Sequence, residues 1–202
     1  AVAAKRSDRE AAEGCVLVKA ENGFAAIIAL KCETDFVANN ADFVKLTQDI
    51  LDLAVANKCQ TLDEVKALTL GNGTVQDAVT DRSGITGEKM ELDGYMTVEG
   101  EYTTVYNHQG KNQLCTLVAM NKAAEAAAKG VAMQIAAMNP VAVDKDGVDS
   151  TTVEREIEVG KEQARAEGKP EEMLEKIALG KLNKFYKENT LLSQTFVKDN
   201  AQ

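Results

Sequence analysis

Few residues in this chain are placed to do chemistry, and the densest group is Glu33-Thr34-Asp35-Phe36. Glu33 and Asp35 lie two apart, so on a strand their carboxylates would share a face, as a general acid–base pair requires. No nucleophile, base or metal partner accompanies them in the sequence, and that reading stays weak. His108 is the only histidine, which removes multi-histidine zinc sites and leaves any histidine-based triad to this one residue. It stands in a polar turn near Lys111, either solvated or making a polar contact to a partner. Cys15, Cys32, Cys59 and Cys115 form no C-x-x-C pair. They sit mostly within apolar patterns that suit small buried thiols in a reducing, cytosolic compartment.

Nucleotide-cradling motifs are incomplete. Each Gly-Lys pair (at Gly110, Gly160, Gly168 and Gly180) lacks the upstream glycine and the following Ser or Thr of a phosphate loop. Gly71-Asn72-Gly73 lacks the third glycine and the preceding strand of a dinucleotide fingerprint, and reads as a turn. Neither a metal nor a cofactor is expected.

The formal net charge is −9 and the pI about 4.8. Tracking a phosphate backbone requires clustered Lys and Arg, so direct nucleic-acid binding is not expected. No window reaches the ~18 consecutive apolar residues of a membrane span, and residues 1–14 are too polar for a signal peptide. The missing initiator Met implies a trimmed or partial chain. With 202 residues, 45% of them hydrophobic, there is enough apolar material for one large domain or two small ones.

The elements that would position these groups follow from periodicity. Cys15–Lys19 and Phe24–Lys31 are apolar, partly β-branched runs around Glu21-Asn22-Gly23, the pattern of a β-hairpin. Phe43, Leu46, Ile50, Leu51, Leu53 and Ala54 then recur at helical spacing, which predicts a helix packed on that sheet. Thr61-Leu62-Asp63-Glu64 is a capping-box pattern that should open a short helix. A second hairpin is predicted from Tyr95–Tyr106 and Gln113–Met120, turning at Asn107–Gly110, followed by an Ala-rich helix that ends before Asn139-Pro140. The pattern is thus repeated, with 21 positions from Ala29 to Ile50 and 16 from Ala119 to Ile135. The five extra residues fall around Thr34–Asn39, and an insertion confined to one copy is easier to explain by function than by packing. Beyond Ser150 the texture becomes charged helix, with a narrow stripe Val153, Ile157, Gly160 and Ala164. Gly168-Lys169-Pro170 should then turn the chain into a second helix carrying Leu174, Ile177, Ala178, Leu182 and Phe185. The expected fold class is α+β: two related subdomains, each a small antiparallel sheet packed with helices, plus a protruding antiparallel helical hairpin.

Phe36 has two readings. It is either a wedge on a rigid elbow, presented to a partner pocket beside Asp35, or it packs with Val37 on its own subdomain while Thr34, Asp35 or Asn39 caps the next helix.

Thr34-Asp35-Phe36-Val37-Ala38-Asn39 resembles the signature motif of the elongation factor Ts family. The likeness extends to Gly14 with its hairpin, Asp42-Phe43, Tyr106-Asn107-His108-Gln109-Gly110, Gly168-Lys169-Pro170 and Thr195-Phe196-Val197. The resemblance implies a guanine-nucleotide exchange factor that binds elongation factor Tu, GDP-bound and nucleotide-free, in the cytoplasm. It implies Thr34, Asp35, Phe36, Val37, Ala38 and Asn39 as partner-binding residues, with Phe36 inserting near the magnesium and phosphate end of the partner's nucleotide site. His108 is implied as a further contact. It also implies a leader at 1–14 after an absent N-terminal domain, a first core subdomain at 15–95 and a second at 96–149. A coiled-coil hairpin at 150–189 and a truncated return to the second subdomain at 190–202 complete the expected plan. The alternative is a non-enzymatic scaffold that docks through the helical hairpin.

Overall fold

The computed structural model describes residues 4–199. It divides into two compact units at Ala136–Ala137.

In the first unit, strand β1 (Glu13–Glu21) turns at Asn22 and Gly23 into β2 (Phe24–Cys32), with Glu21 opposite Phe24 and Cys15 opposite Leu30. Asn22 and Gly23 have φ of 50° and 77°, the paired positive dihedrals that suit the twist of a two-residue hairpin. Strand β5 (Glu91–Glu99) pairs antiparallel with the other edge of β2, completing a three-stranded sheet of order β1-β2-β5. Phe24, Ala26, Ile28, Leu30 and Cys32, the alternate residues of β2, are buried. Against β1 and β2 packs α2 (Ala41–Ala56), which buries Phe43, Thr47, Ile50, Leu51 and Ala54 at helical spacing. Thr47 satisfies its buried hydroxyl by donating to the Phe43 carbonyl at 2.9 Å.

Helix α1 (Asp35–Ala38) precedes α2; α3 (Leu62–Ala67), a two-residue hairpin of β3 (Thr69–Leu70) and β4 (Gly73–Thr74), and α4 (Val75–Thr86) follow it. Thr61 caps α3 as expected, accepting from the Glu64 amide at 3.2 Å. Glu64 reaches back to Gln60 N–H at 2.8 Å instead of the cap residue's own amide. Thr74 and Asp77 form the complete capping box, at the start of α4. The Gly71-Asn72-Gly73 turn links β3 to β4.

The expected single arm Tyr95–Tyr106 is divided between two sheets. Tyr95–Glu99 belongs to β5, whereas β6 (Tyr102–Asn107) pairs with β7 (Cys115–Met120) in a separate two-stranded sheet. Gly100 N–H donates to Gly23 O at 3.0 Å, so the chain finishes its pairing at the first hairpin turn before it leaves for the second. After β7 comes α5 (Glu125–Met138). Residues 33–40 connect β2 to α2 and residues 121–124 connect β7 to α5, so the surplus in the first copy is four residues, the length of α1.

The second unit is built on α6 (Ser150–Ala166) and α7 (Leu174–Asn189), whose facing pairs 160–178, 161–175 and 165–171 run in opposite order, as in an antiparallel hairpin. Gly168 takes φ 76° after α6, and Lys169 N–H bonds the Ala164 carbonyl while Gly168 N–H bonds that of Arg165. That six-to-one and five-to-two arrangement satisfies the helix's last carbonyls. Residues 141–149 are tied to the chain after α7, since Leu191 and Leu192 N–H donate to Ala142 and Val143 O.

All four cysteines are free and buried. Burial raises the Cys15, Cys32 and Cys115 thiols from an ordinary value of 9.0 to about 11. The fold therefore holds protons that the unfolded chain releases between those limits, and stability should fall as pH rises from about 9 towards 11. Denaturation midpoints at pH 8 and pH 10.5 check this; the lower midpoint belongs to the higher pH, and a thiol reagent should label all four cysteines only after unfolding. A Cβ on Gly160 would lie 3.1 Å from the Ala178 Cα, so Gly160→Leu should push α6 from α7 at a cost of about 1–3 kcal/mol. A lower thermal midpoint by circular dichroism is the expected outcome.

Candidate functional site

Thr34 has extended backbone (φ −122°, ψ 150°), and its hydroxyl accepts from Val37 N–H at 3.3 Å, capping α1. Asn39 closes α1, its amide and side chain both donating to Asp35 O at 3.0 and 2.8 Å. Asn40 caps the next helix by accepting from Asp42 and Phe43 N–H. Two capped helices in succession make the elbow, with no free turn between them.

The helix is two-sided. Val37 and Ala38 are each 8% exposed and belong to the hydrophobic core, whereas Phe36 is 81% exposed. Thr34, Asp35 and Asn39 are also exposed. Internal packing of Phe36 is therefore not what the chain adopts; its neighbours anchor and it projects. An aliphatic-sized side chain gains about 1.5–3 kcal/mol on burial, a gain that Phe36 leaves unused. Ile85, on the last turn of α4 beside Asp42 and Arg82, is another exposed apolar side chain, at 74%.

Glu33 and Asp35 do not act as a pair. The Glu33 carboxylate is taken up by Lys89 N–H at 2.5 Å and Arg9 Nη2 at 2.7 Å, which points it away from any acid–base role. Glu88 faces the junction from the α4–β5 connection, accepting from Glu33 N–H, Thr34 N–H and the Thr34 hydroxyl at 2.9, 3.1 and 2.6 Å. Sequence reading gave no sign of Glu88, which is 54 residues from Thr34.

His108 is half-buried, with Nδ1 3.0 Å from the Tyr106 hydroxyl and the two rings edge to face at 5.8 Å. Its N–H donates to Leu114 O, while Gln109 and Gly110 take positive φ around the turn. The turn is fastened to β1 through Val16 N–H and Asn112 O at 2.8 Å. Since β2 delivers α1 beside Glu13, the turn and the elbow are carried by the same end of β1. Among the described residues, no cluster of His, Cys, Asp or Glu is arranged to hold a metal ion, and no helix is long and apolar enough to cross a membrane.

On this α+β scaffold a four-residue helix anchors two small apolar residues and leaves an aromatic exposed. The Elongation factor TS family model matches residues 33–202, and the chain belongs to that family. A protein named Elongation factor Ts from Phocaeicola vulgatus is 75% identical over 167 residues, covering 83% of this chain and 51% of its own length. Its namesake from Porphyromonas gingivalis is 56% identical over 201 residues, covering 98% of this chain and 73% of its own. That from Azobacteroides pseudotrichonymphae is 48% identical with the same coverage. The chain spans about half the length of the first of these relatives.

Thr34→Ala removes the α1 cap and should cost that helix about 1 kcal/mol. The expected result is roughly fivefold faster hydrogen exchange at the Val37 and Ala38 amides, with β1 and β2 unchanged.

Proposed function

We propose that this chain is a guanine-nucleotide exchange factor that binds elongation factor Tu, in its GDP-bound and nucleotide-free forms, and speeds GDP release during translation elongation in the cytoplasm. The observation that carries the reading is Phe36, solvent-exposed on a helix whose adjacent residues are core. Family membership supplies the partner and, with it, the reading of a non-enzymatic role.

The mechanism is linkage. If this chain and GDP each weaken the other's hold on the same partner, the coupling free energy is reciprocal, and binding of one accelerates loss of the other. No covalent bond changes. Phe36 enters a partner pocket near the bound phosphates and magnesium, gaining about 2 kcal/mol of burial that offsets part of the lost phosphate contacts. Asp35 and Asn39 lie on the same exposed rim, where they can grip a neighbouring helix of the partner. Thr34, Val37 and Ala38 hold the elbow stiff enough for the ring to push. His108, braced by Tyr106, makes a second contact from the β6–β7 turn. An acidic chain suits this role, as it binds protein and need not approach RNA.

Release of a fluorescent GDP analogue from elongation factor Tu tests this directly. Phe36→Ala should slow stimulated release at least about tenfold, the effect of losing one buried aromatic anchor, and rates equal to those of the parent chain would remove the wedge.

A further inference from the structure

Phe36 stands on a helix of four residues. One turn is too short to hold itself, because nucleation fixes several dihedrals for very few hydrogen bonds. Val37 and Ala38 anchor one side of α1 in the core, but two small apolar side chains leave its rotation loosely specified. A direction for the ring must therefore be imposed at the helix's start.

We propose that Glu88 is the positioning residue of Phe36. Its Oε1 receives the Thr34 hydroxyl hydrogen at 2.6 Å, which orients that hydroxyl's lone pairs to accept from Val37 N–H. Its Oε2 receives Glu33 N–H and Thr34 N–H at 2.9 and 3.1 Å. The carboxylate thus takes three donors from two consecutive residues and fixes the plane in which α1 begins. The tie is reciprocal, as Lys89 N–H donates to Glu33 Oε1. Two junctions far apart in sequence, β2–α1 and α4–β5, are closed on one another by each other's carboxylates.

Glu88 is itself held. Ser83 Oγ donates to Glu88 O at 2.5 Å, and Glu88 N–H donates to the Thr86 hydroxyl at 3.2 Å. Arg6 Nη1 donates to Ser83 O and Oγ at 2.6 and 2.8 Å. Arg9 spans both junctions, with Nη1 on Gly87 O at 3.2 Å and Nη2 on Glu33. Lys89 Nζ returns to Ser7 and Arg9 O at 3.1 and 2.9 Å. Residues 6–9 form a strap that stiffens the seat of the positioning carboxylate.

The consequence for exchange rests on the proposed role of Phe36, so the test separates the two. The chain has no tryptophan, and Phe36→Trp therefore gives a single reporter at the ring's own position. Its time-resolved anisotropy should be dominated by whole-molecule tumbling; adding Glu88→Ala should introduce a fast local component without lowering the thermal midpoint of the β1–β2–β5 core. If Glu88→Ala does not fold, Glu88→Met, which keeps the side chain's length but offers the three donors no oxygen, should show the same component. In the release assay Glu88→Ala should lose about tenfold, a loss that vanishes in the Phe36→Ala background because the two act through one ring. Unchanged local motion at position 36 overturns the proposal, as does a loss that persists undiminished in the Phe36→Ala background. Wild-type release by Glu88→Ala, with Phe36→Ala impaired, overturns Glu88 while sparing Phe36. If Phe36→Ala releases like the parent, the exchange reading fails, and the anisotropy of Trp at position 36 alone decides whether Glu88 positions it.

Discussion

The first unit depends on one packed contact: the alternate apolar residues of β2 lying under α2. Phe24, Ile28 and Leu30 on the strand and Phe43, Ile50 and Leu51 on the helix are fully buried. Removing a large side chain from such a site costs about 3–5 kcal/mol, a sizeable part of the 5–15 kcal/mol that stabilises a whole domain. Because β2 enters this contact and α2 leaves it, residues 33–40 are pinned at both ends. The elbow has no freedom to swing as a loop would, and its shape is decided by these eight residues and the side chains that reach them.

Within that span, three kinds of force divide the work. Burial of Val37 and Ala38 holds α1 to the core. Side-chain caps from Thr34 and Asn40 satisfy the free amides of two helix starts, each worth about 1 kcal/mol. Charged groups then join the span to the α4–β5 connection through Glu33 and Glu88. The Arg9–Glu33 pair is partly exposed, and exposed ion pairs contribute little on their own. Their value lies in direction, because a carboxylate that accepts several fixed donors has one orientation. Stability comes from the apolar contact and geometry from the polar one.

Much of this was legible in the sequence and some was not. Asn22-Gly23 located the first turn, the helical spacing from Phe43 to Ala54 located α2, and Gly168-Lys169-Pro170 located the turn between α6 and α7, because each rests on local stereochemistry. The arm after Tyr95 was misread as one strand. Glu99-Gly100-Glu101 interrupts the β-forming residues at the point of change, but a lone glycine in a strand pattern does not tell a bulge from a change of partner, and here the change is set by Gly100 meeting Gly23, 77 positions earlier. The Thr34–Asn39 motif announced the site, yet whether Phe36 faced in or out was open. Periodicity cannot assign a face to a helix of one turn. Glu88 left no trace, since a long-range carboxylate looks like any solvated glutamate until the fold closes.

The repeat bears on why the elbow lies where it does. β1–β2–α2 and β6–β7–α5 are hairpin-and-helix copies, and in the second copy residues 121–124 suffice to pass from strand to helix. The short route is therefore available to this architecture, so the longer one in the first copy is not forced by closure. Lengthening a connection costs little free energy when its ends are already fixed, whereas leaving a phenyl ring in water forgoes its burial. An insertion that is cheap to carry but is furnished with two caps, two core anchors and a reciprocal carboxylate clamp has been made rigid around an exposed aromatic. Rigidity of that kind lowers the entropy lost when the ring is buried elsewhere. A four-residue connection closes the second copy without leaving a ring in water, which is the physical reason behind the proposal that the elbow serves recognition.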